Sequence, residues 1–341
     1  MNDIVAFAGF IISAAIIFTA GRGLSRYGER IAEITGMGGA WVGLILMASV
    51  TSLPELVVGV TSSGFVGSAD LAVGDVIGSC AFNLLILASL DAFVPRHRRL
   101  LGIASATHVL AAALGIILLA LVGLGIINIG SHAVMPWIGV SSVLFIGVYL
   151  MSVRLMFIYQ RSPSALASSI SGDERLPEGL GVPASLTKAQ VYRRYAAHAA
   201  VVVAAAVVLP PMAQRIALAT GLEESFVGTL FLASSTSLPE IAVSLTAVRM
   251  GAINLAVGNM LGSNLFNVLI LAIDDVVYTG GLLLQDASDT HIISVLSTIV
   301  MSAVVIIGLV FNVEGKRFLL AWDAVIILLV YVGNAALLLM M

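Results

Sequence analysis

The chain has 341 residues, 60% of them apolar and only 10% Asp, Glu, Lys or Arg, with a formal net charge of -3 and one cysteine, Cys80. A soluble domain carries about 25% charged residues, so this composition excludes an ordinary soluble enzyme, a nucleic-acid binder and a disordered chain. One cysteine excludes a disulfide framework and a Cys-rich metal centre, and apolar runs of membrane-spanning length exclude the short alternating segments of a β-barrel.

In chain order the charge-poor stretches predict ten membrane spans, over 4–20, 40–64, 70–93, 100–122, 133–157, 195–219, 225–248, 252–275, 290–312 and 318–340. The first lacks the basic start of a signal peptide and is kept as a helix. No Asp, Glu, Lys or Arg occurs between Leu100 and Val153, too long a run for one helix, so it is split at Asn128-Ile-Gly-Ser-His132. Residues 160–194, rich in Ser, Pro and Gly, read as a cytoplasmic connector between residues 1–159 and 195–341. Ten spans place fifteen of the sixteen basic residues on one side, with only Arg215 opposite. The positive-inside rule then puts both termini outside the cytoplasm, in a multi-pass protein of the plasma (cell inner) membrane. The Arg clusters read as topology determinants.

The two halves repeat each other. Residues 42–55 (VGLILMASVTSLPE) match 227–240 (VGTLFLASSTSLPE) at 9 of 14 positions, and 71–90 match 255–274 at 12 of 20. Five spans per half is an odd number, so the second half enters the membrane from the opposite side. The expected fold is an all-α integral membrane protein of ten transmembrane helices, in two inverted five-helix repeats with helices broken at the midplane. Such architectures place a substrate site between the repeats.

Glu55 and Glu240 fall near the centres of their spans, where an ionisable group costs about 2.5–3.5 kcal/mol on the insertion scale. No Lys or Arg shares their depth, which leaves a bound cation or protons as the partner. Pro54 and Pro239 have no N–H and clash with the carbonyls of Val50 and Ser235, so each helix should break there and free carbonyls, including those of Thr51 and Thr236. Gly78-Ser79 and Gly262-Ser263 are expected to loosen the next helix of each half in the same way. Asn83 and Asn267 add amide oxygens. The donors are all oxygen, which suits a hard cation: calcium takes 6–8 oxygens, whereas zinc or copper would call for His or Cys, and none of the five histidines lies in a repeated motif. Asp75 reads equally as a third central acid or as a solvated residue at the mouth. Asp91, Asp274, Asp275 and Asp323 read as span-end residues, and Cys80 as a packing residue.

The paired Thr-Ser-Leu-Pro-Glu motifs and the Gly-Ser-x-x-Phe-Asn motifs, the second copy reading Gly-Ser-Asn-Leu-Phe-Asn, resemble the α-repeats of the calcium/cation antiporter superfamily, in its sodium/calcium exchanger branch of bacterial type. The resemblance is strong over 36–91 and 221–275, and the ten-span topology extends it to the whole chain. It implies that Glu55 and Glu240 bind calcium and sodium as the metal ligands. The backbones of Ala48, Thr51, Ala233 and Thr236, the hydroxyls of Ser52, Ser79, Ser237 and Ser263, and the amides of Asn83 and Asn267 would help. It also implies that the first and sixth helices slide or rock to gate access. Departures from the family pattern are Asn at 267, where the family often carries Asp, Asp75 opposite Asn259, and Cys80 opposite Asn264. They give a central count of two carboxylates, and hence an exchange nearer electroneutral.

The resulting expectation is a sodium/calcium antiporter working by alternating access, with no enzyme activity, no cofactor, no nucleic acid and no obligate protein partner beyond membrane lipid. A proton/calcium or other cation antiporter of the same fold, with protons on the carboxylates, is the nearest alternative. A cation channel is further off. An intramembrane protease would need His or Asp beside the repeated motifs, and none is repeated.

Overall fold

The computed structural model describes residues 3–35, 48–104, 108–128, 133–135, 137–160, 185–311, 316 and 318–341. The described chain is almost wholly helical. The first half comprises α1 (Asp3–Thr35), the broken pair α2 (Ala48–Thr51) and α3 (Leu53–Thr61), α4 (Ala69–Leu90), the short α5 (Leu100–Ile103), α6 (His108–Ile126) and α7 (Val140–Gln160). The second comprises α8 (Lys188–Ala206), α9 (Leu209–Thr220), α10 (Glu224–Phe226), the broken pair α11 (Ala233–Thr236) and α12 (Leu238–Arg249), α13 (Ile253–Val277), the short α14 (Leu283–Asp286), α15 (His291–Val310) and α16 (Trp322–Met340). A two-stranded antiparallel ribbon, β1 (Ala133–Met135) and β2 (Ile138–Gly139), pairs Ala133 with Gly139 and Met135 with Ile138.

Among the described residues eight helices are long and apolar enough to cross a membrane, or nine when the bent α10–α11 and α12 segment counts as one span. The start of the span expected over 40–64 lies outside the described residues. Several boundaries differ from expectation. The first span runs to Thr35, and the sixth begins at Lys188 and breaks before Pro210 and Pro211. Proline removes a backbone donor, so a new helix starts there with Pro in its first turn. Thr187 anchors α8 with a reciprocal capping box, accepting from the Gln190 amide at 3.3 Å while the Gln190 side chain accepts from the Thr187 amide at 2.9 Å. The fourth span begins at His108, after α5, and β1 and β2 precede the fifth. The split between them falls where expected: α6 ends at Ile126, and Asn128 takes a positive φ of 62°.

The core is built on α4 and α13, which are largely apolar and almost wholly buried, with their polar residues turned inward as well. They pack against each other, and their surroundings are reciprocal. α4 of the first half is flanked by α15 and α16 of the second, while α13 of the second is flanked by α6 and α7 of the first. The apolar residues of α1, α7 and α16 that point outward, such as Ile11, Leu150 and Leu329, stay exposed. In water such a surface would drive aggregation; in a bilayer it is the natural lipid face.

Gly78 does not loosen its helix. α4 runs unbroken through Gly78-Ser79, and α13 through Gly262-Ser263. Gly78 instead permits close approach: a Cβ there would sit 2.2 Å from the Thr229 carbonyl oxygen and 2.7 Å from the Ala233 Cβ. The glycine lets the broken segment of the second half lie directly on α4. Correcting the expectation, of the helices that carry the repeated motifs those with Pro-Glu are broken and those with Gly-Ser are not.

Candidate cation-binding site

Both Pro-Glu motifs break their helix in the same way. Ser52 (φ -82°, ψ 15°) and Ser237 (φ -80°, ψ 11°) leave helical geometry, and the chain resumes as α3 and α12. The α10–α11 and α12 pieces meet at 47°. Pro54 and Pro239 occupy the first turn of the new piece, where a missing N–H costs nothing. Glu55 and Glu240 sit in that same turn. A helix N-terminus presents free N–H groups and a partial positive charge, so the break itself offsets part of the cost of burying each carboxylate, by about 0.3–1 kcal/mol and more in favourable partly buried geometry.

The residues singled out by sequence come together between α2–α3, α4, α11–α12 and α13. Glu55, Glu240, Thr51, Thr236, Ser52, Ser237, Ser79, Ser263, Asn83 and Asn267 are all fully buried, as are Ala48 and Ala233 at the adjoining turns. Hydrogen bonds run across the repeat in matched pairs. The Thr51 hydroxyl lies 3.4 Å from the Ser263 hydroxyl, and the Thr236 hydroxyl 3.3 Å from the Ser79 hydroxyl. Thr51 donates to Asn259 Oδ1 at 3.5 Å, and Thr236 donates to Asp75 Oδ1 at 3.1 Å. Ser237 crosses between the halves to donate to Glu55 Oε1 at 3.0 Å.

Asp75 therefore belongs to the centre. It is fully buried, its second oxygen has no donor, and only the Thr236 hydroxyl separates it from the broken helix. The cluster holds three carboxylates, Glu55, Asp75 and Glu240. With Asp75 the cluster has one carboxyl group more than the two expected.

Asn259 and Asn264 were not among the site residues expected from sequence. Asn264 accepts from the Asn83 amide at 3.1 Å and donates to the Cys80 carbonyl at 3.1 Å. Its counterpart in the repeat, Cys80, is no equivalent acceptor. Asn267 lies against the Cys80 thiol, and its buried amide oxygen has no donor. Their signal in the sequence is position: each stands in a repeated motif opposite a different residue type.

The two halves thus leave a concentration of acceptors without donors: Glu55 Oε2, both oxygens of Glu240, Asp75 Oδ2, Asn83 Oδ1 and Asn267 Oδ1. Thr51 and Ser52 face the Glu240 carboxylate from the broken helix of the first half. None of the ion pairs among the described residues involves these acids. Each orphaned buried acceptor costs about 1–3 kcal/mol, more when charged. A cluster of them, all oxygen and carrying up to three negative charges, suits a hard cation bound between the two halves.

Two further acids are structural. Asp91 and Asp275 occupy matching places at the ends of α4 and α13. Asp91 accepts from the Leu100 and Ala321 amides at 2.8 and 2.7 Å and pairs with Lys316 at 3.3 Å. Asp275 accepts from the Gly139 and Leu283 amides at 2.8 and 3.0 Å and from the Ser142 hydroxyl. Each carboxylate ties the loop that follows it to a loop of the other half.

Comparison with known proteins adds to this geometry. The sodium/calcium exchanger protein family matches residues 5–157 and 195–340. CaxA of Alkalimonas amylolytica, described as an antiporter, is 27% identical over 241 residues, covering 70% of each chain. Sodium/calcium exchanger MaX1 of Methanosarcina acetivorans is 32% identical over 114 residues, 33% of this chain and 30% of its own. The solved structure of the sodium-calcium exchanger NCX_Mj superposes with a TM-score of 0.62 at 19% identity, covering 98% of this chain and 99% of its own, so the fold is shared. With both repeated motifs inside the matched segments, this chain belongs to the sodium/calcium exchanger family of integral membrane antiporters.

Proposed function

We propose that this protein exchanges calcium for sodium across a membrane by alternating access, with Glu55 and Glu240 as the principal cation ligands. The observation that carries the reading is the cluster of partnerless buried oxygens around two carboxylates, each placed at a helix break. Asp75, Thr51, Thr236 and the backbones of Ala48 and Ala233 complete the first set of ligands. Ser52, Ser79, Ser237 and Ser263 with Asn83 and Asn267 supply hydroxyl and amide oxygens. Calcium would draw on several carboxylate oxygens at once, whereas sodium ions would distribute over the same cluster and its hydroxyls.

Access would change by movement of α1 and the α8–α9 pair over the fixed α4–α13 core. α1 and α8 pack along each other, and Gly21 of α1 lies against Pro239, where an added Cβ would sit 2.5 Å from the ring. The moving helix thus touches the helix break beside Glu240. The division at 1–159, 160–194 and 195–341, the ten-span count and a cytoplasmic connector belong to this same proposal. Ion counter-transport needs no covalent step, so the protein acts as a transporter and not as an enzyme.

A proton could replace sodium on the same carboxylates. The burial of all three carboxylates, with no ion pair to any of them among the described residues, favours that second reading, because protonation also removes their charge. Calcium-45 uptake into proteoliposomes under a sodium gradient, compared with a pH gradient, separates the two. Uptake driven by sodium supports the exchanger, and uptake driven only by pH supports proton coupling.

A further inference from the structure

Asp274 is an acid that the repeat does not explain. It is fully buried near the end of α13, and neither of its carboxylate oxygens has a hydrogen-bond donor. Its neighbour Asp275 carries out the anchoring role shared with Asp91. By the repeat offsets, the place of Asp274 in the first half is taken by Leu90, and the place of its contact Gly59 in the second half is taken by Ser244. The feature therefore exists at one end of the molecule only.

Its position is specific. Asp274 lies seven residues after Asn267 on α13, two turns along the same face. It packs against Gly59, four residues after Glu55 on α3 and one turn along its face. A Cβ added to Gly59 would lie 2.4 and 2.6 Å from the two carboxylate oxygens. Beyond it the α3–α13 seam closes where Gly64 meets Val277, an added Cβ at Gly64 lying 2.3 Å from a Val277 methyl. Asp274 thus stands on the seam leading from the central carboxylates toward the end bearing Ser62–Ser68 and Tyr278. Asp75 lies within its electrostatic range.

A buried carboxylate without donors, next to a second acid, either takes up a proton or needs a positive charge close to it. None of the ion pairs among the described residues supplies one. A single carboxylate is too few oxygens for calcium and balances one monovalent charge. We propose that Asp274 is an accessory sodium site on the route between the central cluster and this end of the protein. It would be occupied as sodium enters or leaves from that side alone. Its role in flux rests on the exchanger reading; sodium binding at Asp274 does not.

Two experiments test the proposal. The first is sodium-22 binding to the purified full-length protein carrying Glu55→Gln and Glu240→Gln. A saturable sodium component should remain and should disappear when Asp274→Asn is added; no residual component, or its survival in the triple variant, overturns the proposal. The second is sodium dependence of calcium-45 flux in proteoliposomes, with sodium varied on each side in turn. Asp274→Asn should raise the half-saturating sodium concentration by about threefold or more on one side and leave the other unchanged. Gly59→Ala, which keeps the carboxylate but fills the space against it, should give the same one-sided change and serves if Asp274→Asn does not fold. Equal changes on both sides, or none, overturn the proposal. If the unsubstituted protein shows no sodium-dependent flux, the exchanger reading fails, and the binding experiment alone decides on Asp274.

Discussion

Glu55 and Glu240 owe their prominence to what surrounds them as much as to their own charge. Each lies beside hydroxyls and amides that leave at least one of its carboxylate oxygens without a donor. Glu55→Gln and Glu240→Gln keep the shape and remove the charge, so each should reduce calcium transport by about 100-fold or more while the protein still elutes as a single folded species. Asp75→Asn keeps the hydrogen bond from Thr236, because an amide oxygen accepts as Asn259 does opposite Thr51. It should weaken half-saturating calcium about tenfold, read from calcium-45 uptake, without abolishing transport. The glutamate pair was legible in the sequence because its motif occurs twice, each time after proline. Asp75 was not, because a single acid early in an apolar stretch reads equally as mouth or centre until the packing of α4 is known. Asn259 and Asn264 were visible as departures from symmetry, but only the folded contacts show that they are partners of Thr51 and Asn83.

At the scale of elements, the molecule depends on two broken helices held against two continuous ones. Gly78 is a point of close approach between the two kinds. Gly78→Ala would drive a methyl into the Thr229 carbonyl, a backbone group that cannot rotate away. It should cost about 1–3 kcal/mol of stability and lower the thermal midpoint in detergent. Asp91→Ala removes the acceptor of two loop amides and the partner of Lys316, whose side chain is 1% exposed. Leaving that ammonium buried and unpaired should cost about 3–5 kcal/mol, measured in the same way. The helix breaks were readable from proline, whose chemistry permits little else. The continuity of α4 and α13 was not, because a Gly-Ser pair reads the same whether it bends a helix or admits a neighbour.

At the scale of the molecule, the exchange of flanking helices between halves ties the site to both. α4 and α13 are each enclosed by helices of the other half, so neither half buries its own central acids alone. The repeat made this arrangement legible in outline, while residues 36–47 lie outside the described structure. From the sorting of basic residues we propose that both termini lie outside the cytoplasm. Because Cys80 is the only cysteine and is buried, a cysteine placed at Met341 can be labelled without background. It should react with a membrane-impermeant maleimide added to intact cells. The central claim, counter-transport of calcium and sodium through one buried oxygen cluster, is met most directly by calcium-45 flux into proteoliposomes under sodium, potassium and proton gradients. Uptake should be driven by an outward sodium gradient, unaffected by potassium and lost in Glu240→Gln. Uptake that follows the pH gradient and ignores sodium, or that persists in Glu240→Gln, would contradict it.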